Sequence, residues 1–297
     1  MLTLENEEIK LELTPYAAAI HRFYVKDLNR QIVYPLSSEE EHLTSSSFAN
    51  NSIGMFCGRI TEGRLTLDSK VIQFEKSEEK ASLHGESCGL SHQIWKTEAQ
   101  TSNSVTFSLK LKAFSDRLPG ERLVKVTYTI DKSTLYINYS VVSSTLTFVN
   151  LTNHLYFNLS GNFSSSLKEH YLTFKTHSRY ENDEDYLPIA LMMIEKDSFY
   201  DFSTPKEVSS IAKTFDIGLN NAFSLDGPLT LENPDLKLLL SSDSKEVVLY
   251  SGRFLTPPDC ALALEAQSFP NVESKETLLE PNKEWRRNIK VEIINKN

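Results

Sequence analysis

The sequence is poor in cysteine and has no long apolar run. Its three cysteines (Cys57, Cys88 and Cys260) form an odd set without a CxxC spacing, which favours reduced thiols and a cytoplasmic protein. The acidic start, Met1 to Glu8, lacks the apolar core of a signal peptide. No stretch approaches the roughly 18 consecutive apolar residues of a membrane span, so we expect no membrane association.

Excess positive charge is also missing. The chain has 31 Lys and Arg against 40 Asp and Glu, a formal charge of −9, and it contains no basic run. A protein of this charge repels phosphate backbones, so we expect no nucleic-acid partner, whereas a neutral partner such as a sugar is compatible with it. With only 10 Gly and 11 Pro in 297 residues, collagen-like and linker-rich chains are excluded as well.

The main pattern in the sequence is an alternation of apolar and polar residues. Five segments show it clearly, with β-branched and aromatic enrichment: 9–13, 105–111, 123–130, 135–141 and 289–293. Period two predicts half-buried strands, and many short strands in succession predict an antiparallel all-β fold with few, short helices. Since no repeat or long linker divides the chain, we expect a single domain over residues 1–297.

Four residues stand in contexts that could carry chemistry. His154 follows a predicted strand over 146–151 and is surrounded by amide and aromatic residues. His84 precedes Gly85, where the backbone can approach a ligand closely. Glu265 ends an apolar run and is either a paired structural carboxylate or a base with a shifted pKa. Arg59, taken alone, is better explained as a residue of a surface strand than as part of a binding site.

Competing signatures are absent from the sequence. It contains no GxSxG, no phosphate-binding glycine loop and no HExxH. His84 and His92 are eight residues apart, without a nearby set of Cys or carboxylate ligands. We therefore expect neither a metal site nor a cofactor.

Five segments in order resemble motifs of the aldose 1-epimerase (mutarotase) family. The resemblance runs from about residue 50 to 285. The fourth segment, around residue 220, lies where members of the family have an Asp-centred motif. The segments are Gly58-Arg59-Ile60 with the following residues to Lys70, Leu83-His84-Gly85, Asn153-His154-Leu155-Tyr156-Phe157-Asn158-Leu159, Gly218 to Phe223, and Leu264-Glu265-Ala266-Gln267 with the following residues to Asn271. The resemblance implies one large antiparallel β-sandwich of the galactose mutarotase type, with a sugar cleft on a concave sheet face.

The resemblance also implies roles for individual residues. It assigns the base to Glu265 and the acid to His154, in a reaction that opens the sugar ring and closes it on the other face. Substrate binding falls to Arg59, His84, Tyr156 and Asn220. An acid–base pair on one pyranose requires functional groups no more than roughly 6–8 Å apart, so we expect His154 and Glu265 to meet in one cleft.

Two positions depart from the family pattern. Asn220 stands where members carry an Asp that binds a sugar hydroxyl, and Gly58 stands where Asn often precedes the Arg. Because the positions with acid–base roles are kept, these departures suggest the same reaction on a different preferred sugar. A protein that binds sugar but turns it over slowly is the other interpretation.

The sequence therefore predicts an isomerase of the aldose 1-epimerase type that acts on a free hexose without a cofactor. Two alternatives stay open. A hexose-6-phosphate mutarotase on the same fold would need further cations at the cleft rim, for which Arg64, Arg117 and Lys125 are candidates. A non-catalytic carbohydrate-binding protein would have no need of an acid opposite a base. The sequence does not distinguish a monomer from a homodimer.

Overall fold

Antiparallel strands make up most of the computed structural model, which describes residues 1–214, 218–270 and 274–296. Strands account for 46% of the residues and helices for 5%, which confirms the predicted all-β class. Asn271, the last residue of the final family-like segment, and Asn297 lie outside the described residues. No helix in the described ranges is both long enough and apolar enough to span a membrane.

The strands are short and follow one another closely. In chain order they are β1 (Leu2–Glu5), β2 (Ile9–Thr14), β3 (Ala19–Val25), β4 (Arg30–Gln31), β5 (Ser52–Ile53), β6 (Arg59–Thr61), β7 (Arg64–Leu67), β8 (Lys70–Gln73), β9 (Ala81–Leu83), β10 (Lys96–Gln100), β11 (Ser104–Leu111), β12 (Arg122–Asp131), β13 (Thr134–Ser143), β14 (Thr147–Phe148), β15 (Thr152–Asn153), β16 (Tyr156–Phe157), β17 (Tyr171–Thr173), β18 (Ser178–Asn182), β19 (Pro188–Met193), β20 (Lys206–Glu207), β21 (Asn220–Ser224), β22 (Leu229–Glu232), β23 (Leu236–Ser242), β24 (Glu246–Tyr250), β25 (Leu262–Ala266), β26 (Leu278–Leu279) and β27 (Glu284–Asn295). The helices are α1 (Glu41–Thr44) and α2 (Val208–Ala212), with 3₁₀ turns at Glu86–Cys88 and Leu90–His92.

Three larger sheets and four two-stranded ribbons organise these strands. A nine-stranded sheet has the order β10-β11-β12-β13-β27-β23-β22-β17-β20, a six-stranded sheet the order β16-β25-β24-β21-β18-β19, and a four-stranded sheet the order β1-β2-β3-β4. The ribbons are β5-β15, β6-β9, β7-β8 and β14-β26. One continuous cluster of buried side chains joins the inner faces of the sheets, as the predicted sandwich requires.

Burial explains both kinds of strand pattern. In β12, Val124, Val126 and Tyr128 are fully buried, while the intervening Lys125 and Thr127 face outward, so the strand alternates as its sequence does. All five residues of β25 are buried, because this strand lies between β16 and β24 and is covered on both faces. Its continuous apolar run therefore marks an interior strand, and Glu265 sits inside it.

The strand predicted over 146–151 is wrong in its length. Two short strands, β14 and β15, replace it, and they pair with different partners, β26 and β5. Asn150, between them, is 1% exposed, and its amide bonds to both the backbone N–H and the backbone carbonyl of Ser268. These bonds redirect the chain and tie the segment before His154 to the segment after Glu265.

A buried ion pair closes the connection between β11 and β12. Arg122 donates two hydrogen bonds to the two carboxylate oxygens of Asp116, at 2.7 and 3.1 Å. The side chains are 0% and 9% exposed. Removing one member of such a pair leaves the other charge buried without compensation, which is more costly than losing an exposed pair.

We predict that Arg122→Met lowers the free energy of unfolding by about 3–5 kcal/mol, because Asp116 then stays buried and unpaired. Arg286→Met is the matched control, since Arg286 and Glu284 pair at the surface, where such contacts contribute less than about 1 kcal/mol. Urea denaturation monitored by tryptophan fluorescence measures both. Equal losses in the two variants would contradict the structural role given to the buried pair.

Candidate active site

The structure brings the six side chains singled out in the sequence to one cavity of about 260 Å³. Its described lining residues are Ser46, Ser47, Phe48, Gly58, Arg59, Glu78, Leu83, His84, His154, Tyr156, Asn220, Val248, Tyr250, Phe254, Glu265 and Gln267. Four adjacent strands of the six-stranded sheet, β16, β25, β24 and β21, supply the sheet-borne part of this wall. Register places Val248 beside Glu265 and Asn220 beside Tyr250, so residues distant in sequence become neighbours.

Backbone hydrogen bonds fix the position of His154. The residue lies between β15 and β16, and its N–H donates to the carbonyl of Asn51 at 2.9 Å. Its own carbonyl accepts from the N–H of Asn50, also at 2.9 Å. Asn50 and Asn51 thus hold the peptide units on both sides of His154, and they leave its ring to face the cavity.

His154 and Glu265 meet in the interior of the cavity. Nε2 of His154 lies 3.5 Å from Oε1 of Glu265, and the side chains are only 4% and 3% exposed. This distance exceeds that of an ordinary hydrogen bond, so neither atom is committed to the other. Nδ1 of His154 and Oε2 of Glu265 have no hydrogen-bond partner in the described structure. A ligand rich in hydroxyl groups would satisfy such buried polar atoms.

Burial shifts the two pKa values in opposite directions. Desolvation raises the pKa of Glu265 to about 8, although the positive charge of Arg59 opposes this. Desolvation lowers the pKa of His154 to about 4. Between these values the pair holds one proton, because His154 has released its own and Glu265 has kept its own. The site therefore offers both an acid and a base at neutral pH.

A backbone donor fixes the tautomer of His84. The N–H of Gly58 donates to Nδ1 of His84 at 3.1 Å, so Nδ1 accepts and the neutral ring carries its proton on Nε2. Burial, followed by the neighbouring His154 and Arg59, lowers the pKa of His84 well below its usual range. His84 is therefore a neutral hydrogen-bond donor toward the cavity. Its ring also packs edge-on against Phe48, with 4.9 Å between the centroids.

Gly58 is required at its position for a steric reason. Its φ of +73° lies in the left-handed region, and a Cβ there would come within 2.6 Å of Cβ of Pro270. An Asn, which tolerates positive φ, would still collide with Pro270. The departure from the family pattern thus goes together with the placement of Pro270, five residues after Glu265.

Arg59 is held by an acidic side chain that the sequence did not single out. Its Nε and Nη2 donate to the two carboxylate oxygens of Glu78, at 2.6 and 2.7 Å. The ring of Tyr186 lies 5.6 Å from the guanidinium carbon. This two-pronged contact leaves Nη1 of Arg59 available to a ligand.

Tyr156 and Asn220 contribute in different ways. The hydroxyl of Tyr156 donates to the carbonyl of Ser47 at 3.2 Å, and its ring lies 4.8 Å from that of His154, so it presents mainly ring surface to a ligand. The carbonyl of Asn220 accepts from Nδ2 of Asn182 at 2.7 Å, which positions the start of β21. Asn220 is among the residues that line the cavity.

Gln267 is the strongest candidate that sequence reasoning missed. It lies just past β25, it is 0% exposed, and neither its amide oxygen nor its amide nitrogen has a hydrogen-bond partner in the described structure. The family-like segment contains it, but only the structure shows that both polar atoms are orphaned beside the cavity. Glu78 and Phe48 were missed as well, since they lie on loops without a recognisable pattern.

Three potential metal ligands also converge here. Donor atoms of His84, His154 and Glu265 lie within 4.8 Å of one another, the one such cluster among the described residues. However, the bond from Gly58 occupies Nδ1 of His84 and places the proton of the neutral ring on Nε2. A metal on Nε2 would require the proton of the neutral ring to move to Nδ1, where it would oppose the N–H of Gly58, so the donor set fits a hydrogen-bonding site better than a metal centre.

Comparison with known proteins gives one consistent result. A family model described as aldose 1-epimerase matches residues 1–292. A galactose mutarotase from Rattus norvegicus is 30% identical over 226 residues, which cover 75% of this chain and 66% of the rat protein. One from Sus scrofa is 26% identical over 309 aligned positions, covering 95% and 90%. The crystal structure of an aldose epimerase homologue from C. elegans superimposes with a TM-score of 0.92 at 22% identity, covering 100% and 99%, which shows the shared fold.

We predict that Glu265→Gln stabilises the protein more at pH 8 than at pH 5. The unfolded chain releases the Glu265 proton from about pH 4.5, whereas the folded chain keeps it until about pH 8. The free energy of unfolding of the parent therefore falls as the pH rises from about 4.5 to about 8. The Gln variant has no proton to release at this position, so this fall is absent from it. Urea denaturation at the two pH values should show the gap between variant and parent growing by at least about 1.4 kcal/mol, the equivalent of one pKa unit.

Glu246→Gln provides a second case with the same sign. Burial and the nearby Glu276 raise the pKa of Glu246 to about 7. The difference in unfolding free energy between Glu246→Gln and the parent should therefore grow less from pH 5 to pH 8 than it does for Glu265→Gln. An unchanged gap for Glu265→Gln between pH 5 and pH 8 would show that Glu265 titrates normally in the folded state.

Proposed function

Because the chain belongs to the aldose 1-epimerase family, we propose that it interconverts the α and β anomers of a free hexose, with His154 and Glu265 as the acid–base pair. The observation that carries this proposal is the contact between the two side chains, 3.5 Å apart and almost wholly buried in one cavity. A binding protein gains nothing from burying an ionisable pair without its own hydrogen bond, because the desolvation is unfavourable.

Ring opening needs two proton transfers, one at each of the two oxygen atoms bonded to C1 of the sugar. The ring oxygen O5 and the hydroxyl oxygen O1 are both bonded to C1, so groups 3.5 Å apart can each reach one of them. Glu265 in its ionised form takes the O1 proton, and protonated His154 gives its proton to O5 while the C1–O5 bond breaks. The aldehyde turns about C1–C2, and the reverse transfers close the ring on its other face.

The proton count of the pair matches this cycle. After ring opening the proton is on Glu265 and His154 is neutral, which is also the arrangement that burial favours in the empty cavity. The starting arrangement, with Glu265 ionised and His154 protonated, is helped by the positive charge of Arg59, which opposes the effect of desolvation on Glu265. The two forms differ only in which side chain holds one proton, so no proton enters or leaves the site during a turnover.

The remaining residues hold the sugar. Nε2–H of His84 and Nη1 of Arg59 donate to oxygen atoms on which negative charge develops. Gln267 supplies both a donor and an acceptor to hydroxyl groups, and the amide of Asn220 binds another hydroxyl. Tyr156 and Phe48 offer ring surface to the apolar face of the sugar. The reaction requires no cofactor.

A neutral hexose such as galactose, the sugar in the names of the relatives, suits the site better than a sugar phosphate. Arg59 is the one Lys or Arg side chain among the described lining residues. Arg64, Arg117 and Lys125 are not among them, and Arg117 faces a separate groove beside Lys70. Nothing in the described lining thus favours the phosphate-sugar alternative.

The setting of the enzyme is proposed on separate grounds. One continuous hydrophobic cluster supports a single domain. All three cysteines are free, and Cys57 and Cys260 are buried, which supports a reducing cytoplasmic environment.

We predict that Glu265→Gln lowers the rate of mutarotation by about 10²–10⁴-fold, because Gln keeps the shape and an acceptor but takes no proton. His154→Asn should behave alike. Sugar affinity should stay within about tenfold of the parent, since many other contacts hold the ring. Polarimetry of freshly dissolved α-anomers measures the rate, and calorimetry measures the binding.

The matched control for this experiment is Glu246→Gln. Glu246 lies on the neighbouring strand β24 and also has a raised pKa, but it does not line the cavity. Its loss should leave the rate nearly unchanged. Equal rates for parent and Glu265→Gln on the best aldose would remove Glu265 from the mechanism.

We predict that Gln267→Leu raises KM about 5–150-fold for the preferred aldose, because it removes two hydrogen bonds to hydroxyl groups in a buried site, each of which contributes about 0.5–1.5 kcal/mol. The same variant should unfold at an equal or higher urea concentration, since it removes two unpartnered buried polar atoms. Steady-state kinetics and denaturation test the two halves separately. An unchanged KM together with a loss of stability would make Gln267 a structural residue.

A further inference from the structure

The contact between Arg59 and Glu78 does more than orient one side chain. Both carboxylate oxygens of Glu78 accept from the guanidinium, and the side chains are only 16% and 34% exposed. In the described lining of the cavity, Arg59 is the one cation and Glu78 its direct counter-charge. Because the His154–Glu265 pair with one proton has no net charge, the net charge that a substrate meets is set by Arg59 and Glu78.

The loop that carries Glu78 contacts a second loop of the chain. Glu78 lies between β8 and β9, and two residues later Lys80 forms an ion pair with Asp185, which lies between β18 and β19. Tyr186, beside Asp185, stacks on the guanidinium of Arg59. Both loops thus contact Arg59, Glu78 through two hydrogen bonds and Tyr186 through its ring, so both contribute to its orientation.

We infer that Glu78 determines substrate specificity by positioning Arg59 and cancelling its charge, so that the site accepts uncharged aldoses and rejects anionic sugars. This inference rests on the proposed mutarotase function. Without Glu78, Arg59 would present an uncompensated cation to any phosphate or carboxylate on the substrate. A sugar is smaller than the Debye length of about 8 Å at physiological ionic strength. Salt at that ionic strength would therefore not screen the attraction between Arg59 and an anionic group at C6 in either orientation of the ring.

The overall charge of the protein acts in the same direction. With a formal charge of −9, the chain already disfavours anionic ligands at long range. Glu78 extends this preference to the cavity itself, because it lines the wall beside Arg59.

Two substitutions separate charge from geometry. Glu78→Gln removes the charge but keeps one oxygen acceptor for Arg59, and Glu78→Asp keeps the charge but shortens the reach. Glu79→Gln is the matched control, because Glu79 is adjacent and exposed and does not line the cavity. Each variant is assayed by polarimetry on α-galactose, with galactose 6-phosphate and galacturonate as competing inhibitors, at low and high salt.

We expect Glu78→Gln to lower the inhibition constants of galactose 6-phosphate and galacturonate at least about fivefold, with a smaller effect at high salt. Glu78→Asp should leave those constants nearly unchanged but raise KM for galactose severalfold at a nearly constant kcat. Glu79→Gln should match the parent in every assay. This split between KM, kcat and anion inhibition would not arise from a general loss of structure.

Two results would overturn the inference. One is unchanged anion inhibition in Glu78→Gln while the parent is active on galactose. The other is an equal effect of Glu79→Gln, which would assign the change to overall charge. A parent that is inactive on every aldose would instead contradict the proposed function, so the two failures are distinguishable.

Discussion

Desolvation of two ionisable side chains, His154 and Glu265, is the constraint on which the site depends. In water, Glu265 would be ionised at neutral pH and His154 would become protonated just below it. Burial favours the neutral form of each side chain. The fold can impose this because β25 is covered on both faces and lies between β16 and β24. The location of one proton then becomes sensitive to whatever enters the cavity, which is the property that reversible proton transfer requires.

Backbone groups rather than side chains fix most of the residues around this pair. Gly58 sets the tautomer of His84 through its N–H, and Asn50 and Asn51 hold the peptides of His154. The carbonyl of Ser47 orients the ring of Tyr156. Since backbone donors and acceptors do not titrate, the geometry of the site is insulated from the proton transfers proposed within it.

Local sequence was enough to predict the strands and to single out the residues that stand in family-like segments. It was not enough to identify the side chains that contact those residues in the folded protein. Alternation in β12 predicts the burial of Val124 and Val126, because a strand has only two faces. The 146–151 prediction failed because the bonds between Asn150 and Ser268 are tertiary. Glu78 stands in a charged stretch that looks solvated, and its pairing with Arg59 arises only when β6 and β9 bring the loop back. The catalytic and binding roles stay predictions, because roles depend on a ligand.

The position of β27 determines when this architecture can form. It lies between β13 and β23 and so joins the two halves of the nine-stranded sheet, although it is synthesised after the 26 other strands of the described residues. A nascent chain on the ribosome can pair β10 to β13 as local hairpins, yet it must leave their open edge exposed until β27 emerges. β25, which carries Glu265, also appears late. The edge of β13 is therefore the part of the large sheet that stays open to non-native pairing for longest during synthesis.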